Sequence, residues 1–132
     1  MSDDDQKTVL LVDDTPASIK VLNSALKEKY RTLVATSGAK ALEIAARVPH
    51  PDLILLDIMM PGMDGFEVCE RLKAEPETRD IPIIFLSGKN NIDDRSRGLA
   101  LGAIDFLDKP IDVSMVCTWV TQHLKSLDSI ED

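Results

Sequence analysis

The sequence predicts an α/β fold of five βα units, a parallel five-stranded sheet in the order 2-1-3-4-5, doubly wound with helices on both faces. Three observations predict it. Short apolar runs alternate with amphipathic stretches along the whole chain, with no long linker or low-complexity segment, and strict βα alternation implies parallel strands joined by right-handed crossovers. The first, third and fourth runs are unbroken, as expected of strands buried on both faces. The second opens with Arg31 and the fifth carries Asp105, which assigns those two to the edges.

The elements follow in order. Val9-Leu10-Leu11-Val12 is the first strand. Residues 16 to 28 repeat apolar groups at Ile19, Leu22 and Leu26, a helical spacing, with Pro16 in the first turn and Thr15 as N-cap. Thr32 to Ala35 is the second strand. The second helix, 38 to 47, starts at Ser37 and closes before Pro49. Leu53 to Leu56 is the third strand. Pro61-Gly62 makes a turn, and Asp64 with Glu67 three residues on caps a third helix that ends near Ala74. Ile83 to Leu86 is the fourth strand. Residues 91 to 101 form a weak fourth helix with Ile92 and Leu99 on its apolar face. Ala103 to Leu107 is the fifth strand, and 112 to 127 the last helix, with Val113, Val116, Val120, Leu124 and Leu127 inward. The order 2-1-3-4-5 is that of the flavodoxin-like fold.

The 132 residues suit one domain, and 44% hydrophobic content suffices for one core. The expected organisation is an acidic tail over 1–6, one domain over 7–127 and a short tail over 128–132. The net charge of −8 argues against nucleic acid or an anionic membrane as a partner, since both require a basic patch. Cys69 and Cys117 have neither metal-ligand nor CxxC spacing and read as reduced thiols. With no signal peptide and no apolar run of transmembrane length, a soluble, cytoplasmic chain is expected. His50 and His123 read as incidental, and Trp119 as either core or partner surface.

In a doubly wound sheet, ligands bind beyond the carboxyl ends of the strands where the strand order reverses. Strand one runs into Asp13 and Asp14, strand three into Asp57, strand four into Ser87, and strand five into Asp108, Lys109 and Pro110. The three carboxylates of Asp13, Asp14 and Asp57 gathered there repel one another by roughly 4 kcal/mol per pair at 4 Å unless a cation offsets them. An all-oxygen set suits a hard divalent ion, and Mg²⁺ best, because it keeps several waters and accepts a partial cage. Asp57, on a central strand, is the candidate nucleophile, since a carboxylate can form an acyl phosphate. Phosphoryl transfer asks mainly for positioning and charge neutralisation, for which Mg²⁺, Lys109 and the Ser87 hydroxyl are suited.

These residues resemble a known family. Asp13-Asp14, the run Leu55-Leu56-Asp57-Ile58-Met59-Met60-Pro61-Gly62-Met63-Asp64-Gly65, Ser87, and Gly102-Ala103 followed by Asp105-Phe106-Leu107-Asp108-Lys109-Pro110 are similar to the receiver domain of two-component response regulators, from about Lys7 to Leu127. The resemblance implies that Asp57 is phosphorylated by a histidine kinase or phosphotransfer protein. It implies Mg²⁺ on Asp13, Asp14, Asp57 and the Met59 backbone carbonyl, and a cis peptide before Pro110. It further implies that Ser87 moves toward the phosphoryl group while Phe106 rotates inward, reshaping a surface of helix four, strand five and helix five. A partner protein, a fused output domain or a second copy would read that surface. Met59 and Lys89 occupy places flanking the path of attacking water in such domains. The segments 59–65 and 81–87 look most like receivers attached to cyclic-dinucleotide enzymes.

Three other classes compete. An aspartyl-nucleophile phosphatase would need a second acid two residues after the nucleophile, where this chain has Met59. A flavodoxin would need a phosphate loop where Asp13-Asp14 would repel the phosphate. A pseudo-receiver acting without phosphorylation fits poorly with an intact set of five site residues.

Overall fold

A computed structural model of the chain describes residues 6–88, 92–109 and 111–131, with the side chains of 92 and 126–131 outside the description. The elements are β1 (Thr8–Val12), α1 (Pro16–Leu26), β2 (Arg31–Ala35), α2 (Gly38–Ala46), β3 (Leu53–Asp57), α3 (Gly65–Ala74), β4 (Ile83–Ser87), α4 (Ile92–Ala100), β5 (Asp105–Asp108) and α5 (Val113–Glu131). The five strands form one parallel sheet in the order β2-β1-β3-β4-β5. The expected topology therefore holds. The last helix continues past residue 127, so the tail expected over 128–132 is helical through Glu131.

Strand side chains alternate between faces, and each face collects its own apolar layer. Leu10, Val12, Ile54, Leu56, Ile83, Phe85 and Phe106 pack with α2 and α3. Val9, Leu11, Leu53, Leu55, Ile84, Leu86 and Leu107 pack with Leu22 and Leu26 of α1 and Val116, Val120 and Leu124 of α5. All of β3 and β4 is buried, whereas β2 exposes Arg31 and Val34, in line with its edge position.

Two helix starts behave as the sequence predicts. The Ser37 hydroxyl accepts from the Lys40 N–H at 3.2 Å, and the Asp64 carboxylate accepts from the Glu67 N–H at 2.9 Å. Thr15 stands at the N-cap of α1 without a side-chain cap bond; instead its own N–H donates to Asp13 Oδ1 at 2.9 Å. Gly62 (φ 77°) takes the left-handed turn position after Pro61.

Two inward assignments fail. Leu99 is 52% exposed, and among the α4 residues whose burial is described the buried one is Gly98, set against Phe106 and Phe85. Close approach of the α4 backbone to two aromatic rings seats the helix on glycine and turns the neighbouring leucine outward. Val113 is 48% exposed because it opens α5, one turn before the helix reaches the sheet at Val116. Ile92 and Leu127 have side chains outside the description.

Candidate acidic site at the carboxyl ends of the strands

The backbone ladder fixes each site residue at or just past a strand end. Asp13 N–H donates to Ala35 O at 3.1 Å, continuing the β1–β2 pairing by one residue. Ile58 N–H donates to Leu86 O at 3.2 Å, and Lys109 N–H to Ser87 O at 2.7 Å. Asp57 and Ser87 are the last residues of their strands, and Ser87 pairs in register with Asp108. Five side chains from four strand ends are thereby brought to one patch.

Asp13, Asp14 and Asp57 each offer a carboxylate oxygen within 4.8 Å of the others; Asp13 and Asp57 are buried and Asp14 is more open. The Lys109 ammonium lies 2.9 Å from Asp13 Oδ2 and 3.4 Å from Asp57 Oδ1. Its approach to Asp13 is close but poorly aligned, so Oδ2 is a buried oxygen with no hydrogen bond of good geometry. Burial, and then the Asp13 charge, push the Asp57 carboxyl from 3.8 up to about 6, against the opposing pull of Lys109 and the Met59 N–H. Burial also works against the Lys109 ammonium, but its close ion pair with Asp13 and the charge of Asp57 outweigh it and hold its pKa above the ordinary lysine value. One ammonium thus serves more than one buried carboxylate, and the cluster has an excess of negative charge. A hard divalent cation fits this donor set: it would add a ligand bond at Asp13 Oδ2, which has an ion pair but no well-aligned hydrogen bond, and relieve the Asp13–Asp57 repulsion.

The other predicted positions are distributed as follows. Ser87 is 4% exposed at the end of β4. The Met59 side chain is 75% exposed, turned away from the buried Met60. Phe106 is 4% exposed and already turned into the core, its ring 5.4 Å from that of Phe85. Pro110 and Lys89 lie outside the described residues.

Sequence reasoning missed one close packing contact under the site, at Gly65, and two side-chain pairs outside the acidic cluster, Arg95–Asp108 and His123–Asp105. Gly65 packs so tightly under the site that a Cβ there would sit 2.3 Å from the Asp57 carbonyl oxygen. A glycine opening a helix right behind a capping aspartate is the signal that could have found it. Arg95 of α4 donates from Nη2 to both carboxylate oxygens of Asp108, at 2.9 and 3.0 Å. His123 has an acidic partner: Nε2 lies 3.1 Å from Asp105 Oδ2, and its ring lies 5.7 Å from that of Trp119, which packs half-buried against the core. These two pairs join residues 13 and 18 apart, beyond the reach of helical or strand periodicity.

The described residues contain no helix long and apolar enough to cross a membrane. The model of the response regulator receiver domain matches residues 9–121. A Vibrio cholerae protein named "Probable cyclic di-GMP phosphodiesterase" is 44% identical over 126 residues, which is 96% of this chain and 28% of that protein. Response regulator PleD of Caulobacter vibrioides is 49% identical over 109 residues, 82% of this chain and 24% of its own length. The chain therefore spans about a quarter of these relatives. Among solved structures, the Mn²⁺-bound form of response regulator Rcp1 superposes with a TM-score of 0.80 at 27% identity, covering 89% of this chain and 94% of that one.

Proposed function

The chain belongs to the response regulator receiver domain family, and on that premise we propose that Asp57 accepts a phosphoryl group from a histidine kinase or phosphotransfer protein in the cytoplasm. The observation that carries this reading is the state of the Asp57 carboxylate. It stands at the end of the central strand, buried between a second carboxylate and an ammonium, with a pKa near 6. It is therefore ionised at neutral pH while stripped of most of its water, a condition that favours attack over solvation.

In the proposed step an Asp57 oxygen attacks phosphorus in line with the bond to the donor. A P–O bond forms as the donor's P–N bond breaks, and the donor imidazole keeps the bonding pair and takes up a proton. Lys109, 3.4 Å from Asp57, would hold one phosphoryl oxygen, and the Ser87 hydroxyl would donate to another. Asp13, Asp14 and Asp57, with the Met59 carbonyl, would hold Mg²⁺. Bound there, the ion would neutralise charge on the phosphoryl oxygens.

The proposed consequence is a change at α4, β5 and α5. Phe106 lies inward in this structure, so the switch would carry it between this position and an outward one as Ser87 and Lys109 rearrange. A partner protein, an attached output domain or a second copy would read the change. One curated relative is named for cyclic di-GMP phosphodiesterase activity, and an output of that class is the reading we favour.

Incubation with acetyl phosphate, with and without Mg²⁺, followed by intact-mass measurement tests the acceptor. The expected result is a Mg²⁺-dependent phosphoryl adduct that is absent from Asp57→Asn. No adduct on the wild type, or an equal one on the variant, would overturn the reading.

A further inference from the structure

Among the α4 residues whose burial is described, only Gly98 is buried. A glycine inside a helix costs backbone entropy, and alanine in its place would ordinarily favour the helix about fivefold. This glycine stands where a side chain has no room. A Cβ at Gly98 would fall 2.5 Å from Phe106 Cζ and 2.8 and 2.9 Å from Phe85 Cδ2 and Cε2.

Those two rings belong to a buried row. Phe66 of α3, Phe85 of β4 and Phe106 of β5 follow one another with centroids 5.3 and 5.4 Å apart. Phe106 pairs in register with Phe85, and Ser87 lies two residues beyond Phe85 on the same face of β4. The row therefore runs from beside the acidic site to the underside of α4. The helix lies across it at three points. The Arg97 guanidinium carbon is 4.3 Å from the Phe66 centroid, that of Arg95 is 5.5 Å from the Phe106 centroid, and Gly98 rests on Phe85 and Phe106.

The three contacts differ in stiffness. The arginines reach their rings through flexible stems and can follow a small movement. Gly98 offers only backbone. If the Phe106 ring leaves, Gly98 faces a void of ring size, which a packed interior does not hold open. If the helix lifts, the ring loses its cover. The far end of α4 is tied down: Gly98 O accepts from the Leu101 and Ala103 N–H groups at 3.2 and 3.1 Å, and Cys69 Sγ of α3 donates to Leu101 O at 3.7 Å.

We infer that Gly98 is the contact through which the state of the acidic site reaches α4: the Phe106 ring and the helix form one two-state element, joined at a position where only glycine fits. The inference rests on the reading of Phe106 as the moving part of the switch.

Two measurements test it. Without phosphodonor, Gly98→Ala should shift the NMR signals of the Phe106 ring and speed amide exchange over residues 96–101 about tenfold, because the overpacked seat lifts. Helix propensity alone has the opposite sign: it would slow those amides about fivefold and leave the ring signals in place. Unchanged or slower exchange, or unmoved ring signals, overturns the inference. So does an equal ring shift in Leu99→Ala, a change at the exposed neighbour. In the second measurement acetyl phosphate and Mg²⁺ are added, and intact mass is followed beside amide exchange. Wild type should change exchange over 96–101 as the adduct forms. Phe106→Leu should still gain an adduct while those amides respond less than half as much. An adduct on wild type with no response in α4, or an equal response in Phe106→Leu, overturns the inference, and this comparison decides if Gly98→Ala does not fold. No adduct on wild type would overturn the acceptor reading instead, and the measurement without phosphodonor then decides the role of Gly98 alone.

Discussion

Neutralising Asp57 should make the metal-free protein more stable. The carboxyl rises from 3.8 to about 6 on folding, chiefly because it is buried and secondly because Asp13 faces it. At about 1.36 kcal/mol per pKa unit, keeping it ionised at neutral pH costs about 3 kcal/mol of folding stability. A carboxyl with a raised folded pKa binds its proton more tightly in the folded state. Its contribution is therefore fully present below 3.8 and is lost as the pH rises through about 6. Asp57→Asn resembles the protonated form at every pH. Urea unfolding in EDTA between pH 4 and pH 8 should show wild type losing stability across that window. The variant should lack this component and be more stable than wild type at pH 7 by about 2–3 kcal/mol, the two converging toward pH 4. A variant less stable than wild type at pH 7, or one that keeps the full pH slope, would refute the electrostatic account of the site.

Other consequences can be checked with the same protein. Mg²⁺ should raise the unfolding free energy of wild type by about 1.4 kcal/mol at ten times its dissociation constant, and chelation should remove the gain; Asp13→Asn and Asp57→Asn should both blunt it, as calorimetry or denaturant titration would read. Gly65→Ala should destabilise by about 1–3 kcal/mol and lower Mg²⁺ affinity, because the added Cβ meets the Asp57 carbonyl at 2.3 Å; unchanged stability and affinity would show that the helix can shift freely. Cys69 is buried, with burial pushing its thiol up to about 11, whereas Cys117 is half-buried. A thiol reagent at pH 8 should therefore modify Cys117 first, and peptide mapping that finds equal rates would count against the packing of α3.

The acidic cluster and the cap signals were legible because they depend on position relative to element ends. Once the βα order is read, residues 13, 57, 87 and 109 must fall at one sheet edge, since parallel strands all present their carboxyl ends to the same side. The caps at Ser37 and Asp64 are equally local, involving a side chain and an N–H three residues on. Gly65 was visible as a letter but not as a constraint, because its role depends on how near α3 passes to the end of β3.

By itself the sequence determined the strand order, the burial of β3 and β4, and the gathering of three carboxylates with a lysine and a serine. Periodicity and chain order suffice for these. Only the tertiary structure decided that Leu99 and Val113 face water, that Phe106 lies inward, and that Arg95 and His123 hold the carboxylates of Asp108 and Asp105. Those outcomes depend on where α4 and α5 rest on the sheet, and their resting places are set by close contacts at Gly98 and Val116 rather than by any repeat along the chain.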